Sequence, residues 1–198
     1  MPGLDKGKAS WPPIRCPWKC RRAERAYFLH NHKFDSHYGI FPQGDLMVTI
    51  RKILTPVDFS PACKAGVRCA LELARAKGAE LVVYHVIPPA EAWLARHDEF
   101  SSLDELVERK RNRIAEFLED NFSDCLSQVT FRIAVEVGVP HKMIVTKAEE
   151  EKVDIIAMST RGASGVSHLA LGSVTEKVVG RAFCPVLTVK GEGEGERG

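Results

Sequence analysis

Apolar residues in this chain fall in short unbroken blocks separated by amphipathic runs, and the pattern becomes regular from about residue 51. Residues 51–58, RKILTPVD, read as a buried strand. Ser60 followed by Pro61 is an N-cap with proline at the first helical position, and the helix it opens runs through ACKAGVRCALELARAK to a glycine stop at Gly78. Residues 79–88, AELVVYHVIP, read as a second strand. After a polar loop, Ser102-x-x-Glu105 is a capping box that predicts a helix from about 103 to 120. A third strand covers 129–138, and Pro140 opens a helix on which Met143, Ile144 and Ala148 share one face. A fourth strand at 153–159, a helix at 172–183 and a fifth strand at 184–190 complete the alternation. Strands without polar alternation, separated by single helices, predict a parallel sheet covered on both faces. The expected fold is α/β, a single open five-stranded parallel sheet with Rossmann-like layering.

The ends of the chain lack this order. Residues 1–46 show neither period and are punctuated by Pro2, Pro12, Pro13, Pro17 and Pro42, so they read as an irregular N-terminal extension. Met47 opens the first patterned segment and reads as the natural start, with the extension disordered or not natively translated. Cys16-x-x-x-Cys20, followed by His30, His32 and His37, supplies zinc-ligand residue types. Its spacing is loose and no ββα pattern surrounds it, so no metal site is expected. Residues 191–198, GEGEGERG, are a flexible charged tail whose glutamates would repel phosphate. The domain expected is therefore 47–190.

Composition narrows the functional classes. With 44% hydrophobic and 27% charged residues the chain can bury a real core. No run is long and apolar enough for a membrane span, and no apolar block marks an N-terminal signal, so a cytoplasmic protein without membrane contact is expected. The six cysteines at irregular spacings read as reduced thiols. Residues 1–46 carry eight Lys/Arg and four Asp/Glu, and the remainder carries twenty and twenty-two, so the body is slightly acidic. Without a basic stripe, a nucleic-acid partner is not expected.

Candidate chemistry gathers where open parallel sheets bind ligands, at the C-terminal ends of the strands. The first strand ends in TPVDFSP, which places Asp58 to accept hydrogen bonds from sugar hydroxyls. An ordinary turn role, with the carboxylate bonding its own backbone two residues on, competes with that reading. The fourth strand leads into a glycine- and hydroxyl-rich loop and then a helix. Gly172, Ser173 and Thr175 sit in that helix's first turn, where N–H and hydroxyl donors can meet phosphate oxygens. His85 reads as a core histidine rather than a general base. The run 108–113, ERKRNR, reads as the wet face of a helix that turns Leu106, Ile114, Phe117 and Leu118 inward. Cys63 and Cys69 do not share a helical face closely enough for a redox pair.

Through KILTPVDFS, VVYHVI, GVPHKMIVTKA, VDIIAMSTRG and LGSVTEKVV…CPVLTV, residues 47–190 resemble the universal stress proteins. Nucleotide-binding members carry a loop written G-x2-G-x9-G-[ST]. Here Ser159, Gly162, Gly172 and Ser173 fall on that spacing, with serine in place of the first glycine. A positive φ at that place would strain a serine by about 1 kcal/mol, whereas its hydroxyl could donate to a phosphate. The resemblance implies the adenine-nucleotide alpha-hydrolase-like form of the fold, frequently a homodimer, and ATP as ligand with Mg or Mn. By the same resemblance Pro56 and Val86 border the base and Asp58 holds the ribose. Met158 and Ser159 belong to the site, and Gly162, Gly172, Ser173, Val174 and Thr175 surround the phosphates. The edge strand 184–190 is the expected dimer contact, because an apolar edge invites pairing with its own copy.

No G-x-x-x-x-G-K-[ST] loop, G-x-S-x-G elbow or evident acid, base and nucleophile set is present, so no catalytic residues are assigned. Slow ATP hydrolysis is the most that is expected. The leading reading is an ATP-binding stress-response or signalling module acting as a homodimer. The alternative is a dimeric interaction module of the same fold that binds no nucleotide.

Overall fold

The computed structural model describes residues 26–29, 49–97, 102–160 and 171–190. In chain order the elements are β1 (Ala26–Leu29), β2 (Lys52–Pro56), α1 (Cys63–Lys77), β3 (Glu80–Ile87), α2 (Pro89–His97) and α3 (Leu103–Leu126). They continue with β4 (Phe131–Val137), α4 (Pro140–Glu150), β5 (Ile155–Ser159), α5 (Ser173–Val179) and β6 (Val186–Val189). One sheet holds all six strands in the order β1-β6-β5-β2-β3-β4. Its five main strands are parallel, as the unbroken apolar blocks predict.

Strands β2, β3 and β5 are buried on both faces because helices cover both, while β4, at the edge, is mostly half-buried. Val67 and Leu71 of α1 and Ile114 and Leu118 of α3 pack with Ile53, Leu81 and Val83 on one side. Ile144 and Ala148 of α4 and Val178 of α5 pack with Leu54, Tyr84 and Ile156 on the other. Local signals fix several boundaries. Ser102 accepts from Glu105 N at 3.1 Å while Glu105 Oε2 accepts from Ser102 N at 3.0 Å, which completes the capping box. Gly78 ends α1 at φ 62°, a left-handed position suited to glycine.

The structure departs from the pattern in four places. Helix α1 begins at Cys63 rather than Pro61, although Ser60 Oγ still accepts from Cys63 N at 3.2 Å. Helix α2 follows Pro88 without having been foreseen, because its Trp93 and Leu94 are exposed and give no inward apolar period. Helix α3 continues past 120 to Leu126 through a non-helical turn at Phe122. Finally, the supposedly irregular extension supplies β1. It pairs antiparallel with β6 from Ala26↔Val189 to Leu29↔Val186, so the expected edge strand 184–190 already has a neighbour. The candidate zinc ligands Cys16, Cys20, His30, His32 and His37 and the tail 191–198 lie outside the described residues.

Candidate functional site

Strand β2 lies between β3, which follows it in sequence, and β5, which arrives later from the far side. At such a reversal of strand order the loops leaving the two C-terminal ends diverge and open a crevice. Pro56, Val57 and Asp58 stand at this end of β2, Val86 at that of β3, and Met158, Ser159 and Thr160 at that of β5.

The turn after β2 is tightly built. Asp58 is exposed, and its Oδ1 accepts from Ser60 N at 3.0 Å and from Ser60 Oγ at 2.6 Å. The turn role weighed from the sequence is thus real, and it holds the carboxylate in one orientation at the strand's end. Between them Phe59 sits at φ 61°, a left-handed conformation that costs a bulky residue about 1–2 kcal/mol. Its ring is anchored 4.9 Å from His85 and 6.0 Å from Phe117, with the Arg113 guanidinium 4.2 Å from its centre. These contacts stabilise a turn that the backbone alone would disfavour.

Two titratable groups flank this turn and both are held neutral. His85 Nδ1 lies 2.7 Å from Val57 O, and since a carbonyl only accepts, the ring proton is on Nδ1. Nε2 is buried and has no hydrogen-bond partner among the described residues. Burial pushes the His85 pKa below its ordinary value, and the Lys110 charge adds to that against the opposing Val57 bond. Burial first and the Asp58 carboxylate second push the Cys63 thiol up to about 11, so it is no thiolate nucleophile.

On the other side of the crevice the chain leaves β5 at Thr160, whose N–H donates to Val189 O at 2.8 Å. It returns at Gly172, whose N–H donates to Thr160 O at 2.6 Å, so both feet of the loop are tied together. Arg161, Gly162, Gly165 and His168 lie between them, outside the described residues. Gly172 caps α5 with φ −68° and ψ 153° and no side-chain cap bond. Because the first N–H groups of a helix lack intrahelical acceptors, Ser173 and Val174 present backbone donors beside β5. Thr175 plays a structural part instead. It is buried, and its Oγ1 donates to Ser159 O at 3.0 Å, clamping α5 to the strand.

Ser159 ends β5 opposite Val189 and is not among the residues with positive φ. The strain foreseen for a serine in place of glycine is therefore absent. Closeness is required instead at Gly66, which the sequence reading passed over. A Cβ there would lie 2.6 Å from Ser159 N and 2.8 Å from Met158 C, so only glycine lets α1 lie on the end of β5. A glycine inside an otherwise helical run was the available signal. Phe59 and Thr160 carried none.

Comparison with known proteins places this geometry. A family model described as the universal stress protein family matches residues 49–190. The universal stress protein MJ0577 of Methanocaldococcus jannaschii is 32% identical over 160 residues, 73% of this chain and 98% of the relative. A solved structure of MJ0577 covers 74% of this chain and all of its own, with a TM-score of 0.58. A universal stress protein of Thermus aquaticus is 35% identical over 141 residues, 71% of this chain and 98% of its own. The Archaeoglobus fulgidus universal stress protein in complex with dAMP shares the fold at 22% identity and a TM-score of 0.50, over 72% of this chain and all of its own.

Proposed function

The chain belongs to the universal stress protein family, and from that premise we propose that it binds an adenine nucleotide, ATP with Mg or Mn, in the crevice between β2 and β5. One observation carries the reading: a fixed carboxylate and a row of helix-terminal N–H donors stand at the same strand-order reversal. Pro56, half-buried, and Val86 and Met158, buried, supply apolar walls for the base. Asp58 receives the ribose hydroxyls. Gly172, Ser173 and Val174 meet phosphate oxygens, where a helix N-terminus and a lack of bulk favour an anion. Gly162 is assigned to the phosphates by its place in the loop spacing, and Ser159 stands beside them with its hydroxyl. Nucleotide state then alters what the module contacts in a stress response.

A second reading has its own support. Thr175 Oγ1 is engaged by Ser159 O and Asp58 Oδ1 by Ser60, so two of the supposed ligand groups already serve the fold. On that reading the protein is an interaction module without nucleotide. Titration calorimetry with ATP and magnesium separates the two. Saturable heat that disappears in Gly172→Val at unchanged melting temperature supports the site, and no heat at millimolar ATP favours the interaction module.

A further inference from the structure

The one antiparallel pairing among the described residues joins two segments far apart in sequence: β1, from the extension, and β6, the last described strand. The parallel strands β5 and β6 need no help from it, since Ile156↔Val186 through Ser159↔Val189 fasten β6 on its inner side. On its outer side β6 would otherwise present a row of backbone donors and acceptors, a template for another chain. If two copies of the protein pair through that strand, twofold symmetry makes the two copies of β6 run antiparallel. Strand β1 takes that direction, in register along all four residues of β6.

We propose that β1 is an intramolecular stand-in for a second copy of this chain: docked, it keeps the molecule monomeric, and released, it exposes an edge that dimerises through β6. The balance favours the docked form at ordinary concentrations. A segment tethered to its site experiences an effective concentration on the order of millimolar, whereas a second copy is present at micromolar levels or below. The advantage is finite, because β1 spans only four residues, and a partner that contributes more contact can overcome it. A chain begun at Met47 would lack β1 and show the exposed edge permanently. The inference rests on backbone pairing alone and is independent of whether nucleotide binds.

The test uses the full chain and a double variant, Tyr27→Pro with Phe28→Pro. Successive N–H groups of a strand point to opposite sides, so one of the two substitutions removes a donor aimed at β6 whichever way the alternation falls. Sedimentation velocity should give a monomer for the parent across micromolar concentrations and a twofold higher mass for the variant as concentration rises. Hydrogen exchange keeps the test sharp should the variant lose solubility. In the parent, the outward amides of Val186–Val189 should be protected to the same extent at every protein concentration. A parent that is already a dimer, parental β6 protection that grows with concentration, or a soluble variant that stays monomeric overturns the proposal.

Discussion

The two ends of the central strands are fixed in different ways. At the N-terminal end carboxylates answer lysine, arginine and backbone N–H groups. Asp154 Oδ2 accepts from Arg51 N at 2.8 Å and Lys52 N at 2.9 Å, Lys52 Nζ lies 3.3 Å from Glu151 and 3.6 Å from Glu80, and Arg132 reaches Glu80 at 3.0 Å and Glu151 at 2.6 Å. At the C-terminal ends of β2 and β5 the fixing bonds come from hydroxyls, backbone groups and a neutral histidine: Ser60 to Asp58, Thr175 to Ser159 O, Gly172 to Thr160 O, and His85 to Val57 O. The first end consumes its own charge. The second fixes geometry while its helix-terminal donors remain directed outward, which is what a charged ligand needs. Substitutions at the first should therefore cost stability alone, and those at the second should separate stability from binding.

The largest effect should come where the second end is held closest. Gly66→Val would drive a branched side chain into the backbone of Met158 and Ser159, and neither atom it meets can swing aside. We expect a stability loss of at least about 3 kcal/mol, the upper end for overpacking, in urea denaturation. A loss below about 1 kcal/mol would show that α1 does not fix the end of β5. Next comes Asp58→Ala, which should weaken ATP binding by about 1.5–3 kcal/mol, roughly ten- to a hundredfold, by calorimetry. Its stability cost should stay near 1 kcal/mol, for the lost bonds to Ser60. Equal losses in both would reduce Asp58 to a turn residue.

The opposite end supplies the control. Asp154→Ala strips the acceptor from two backbone N–H groups, one of them part-buried, and should lower stability by about 1–2 kcal/mol while leaving nucleotide affinity unchanged. A change in affinity there would mean the two ends communicate and the contrast fails.

How far this contrast was legible in the sequence depends on how local each device is. The Ser102–Glu105 box, the Gly78 stop and the five apolar strands announce themselves within a few residues, and all form as read. Asp58 and Gly172 could be placed at a strand end and a helix start because those signals are local too. Asp154 could not be found, since the backbone groups it caps lie about a hundred residues earlier in the chain. Likewise β1 has too few residues to show a period, and its partner is at the other end of the sequence. Phe59 escaped for another reason: its left-handed backbone is stabilised by His85, Phe117 and Arg113, none of which is a neighbour in sequence.

Acid should take the two ends apart in order. The folded state depresses the His85 pKa, chiefly by burial, so the stability it contributes is present above its ordinary value of 6.5 and is lost as pH falls below it. The Glu151 pKa is depressed chiefly by its hydrogen bond to Arg132, so its contribution holds above its ordinary 4.5 and is lost below that. Melting temperature should therefore fall in two stages on acidification, the C-terminal end first. His85→Phe should flatten the upper stage and leave the lower, and Glu151→Gln should do the reverse. A single stage unaffected by His85→Phe would remove the histidine from the account.

The smallest effect is expected at the residue that set this loop apart from the G-x2-G-x9-G-[ST] pattern. Ser159 closes β5 without a positive φ, so glycine there relieves nothing. It adds backbone freedom to the unfolded chain instead, which in a strand costs roughly 0.5–1 kcal/mol. Any bond its hydroxyl makes to phosphate would be lost with it. Ser159→Gly should thus be slightly less stable than the parent and should bind ATP equally or more weakly. The carbonyl that Thr175 holds is retained in the variant, so the helix keeps its place and the comparison reports on the side chain alone. An affinity that rises in calorimetry would mean that the serine strains the bound loop after all, and that the resting geometry of the C-terminal end is not the one the nucleotide meets.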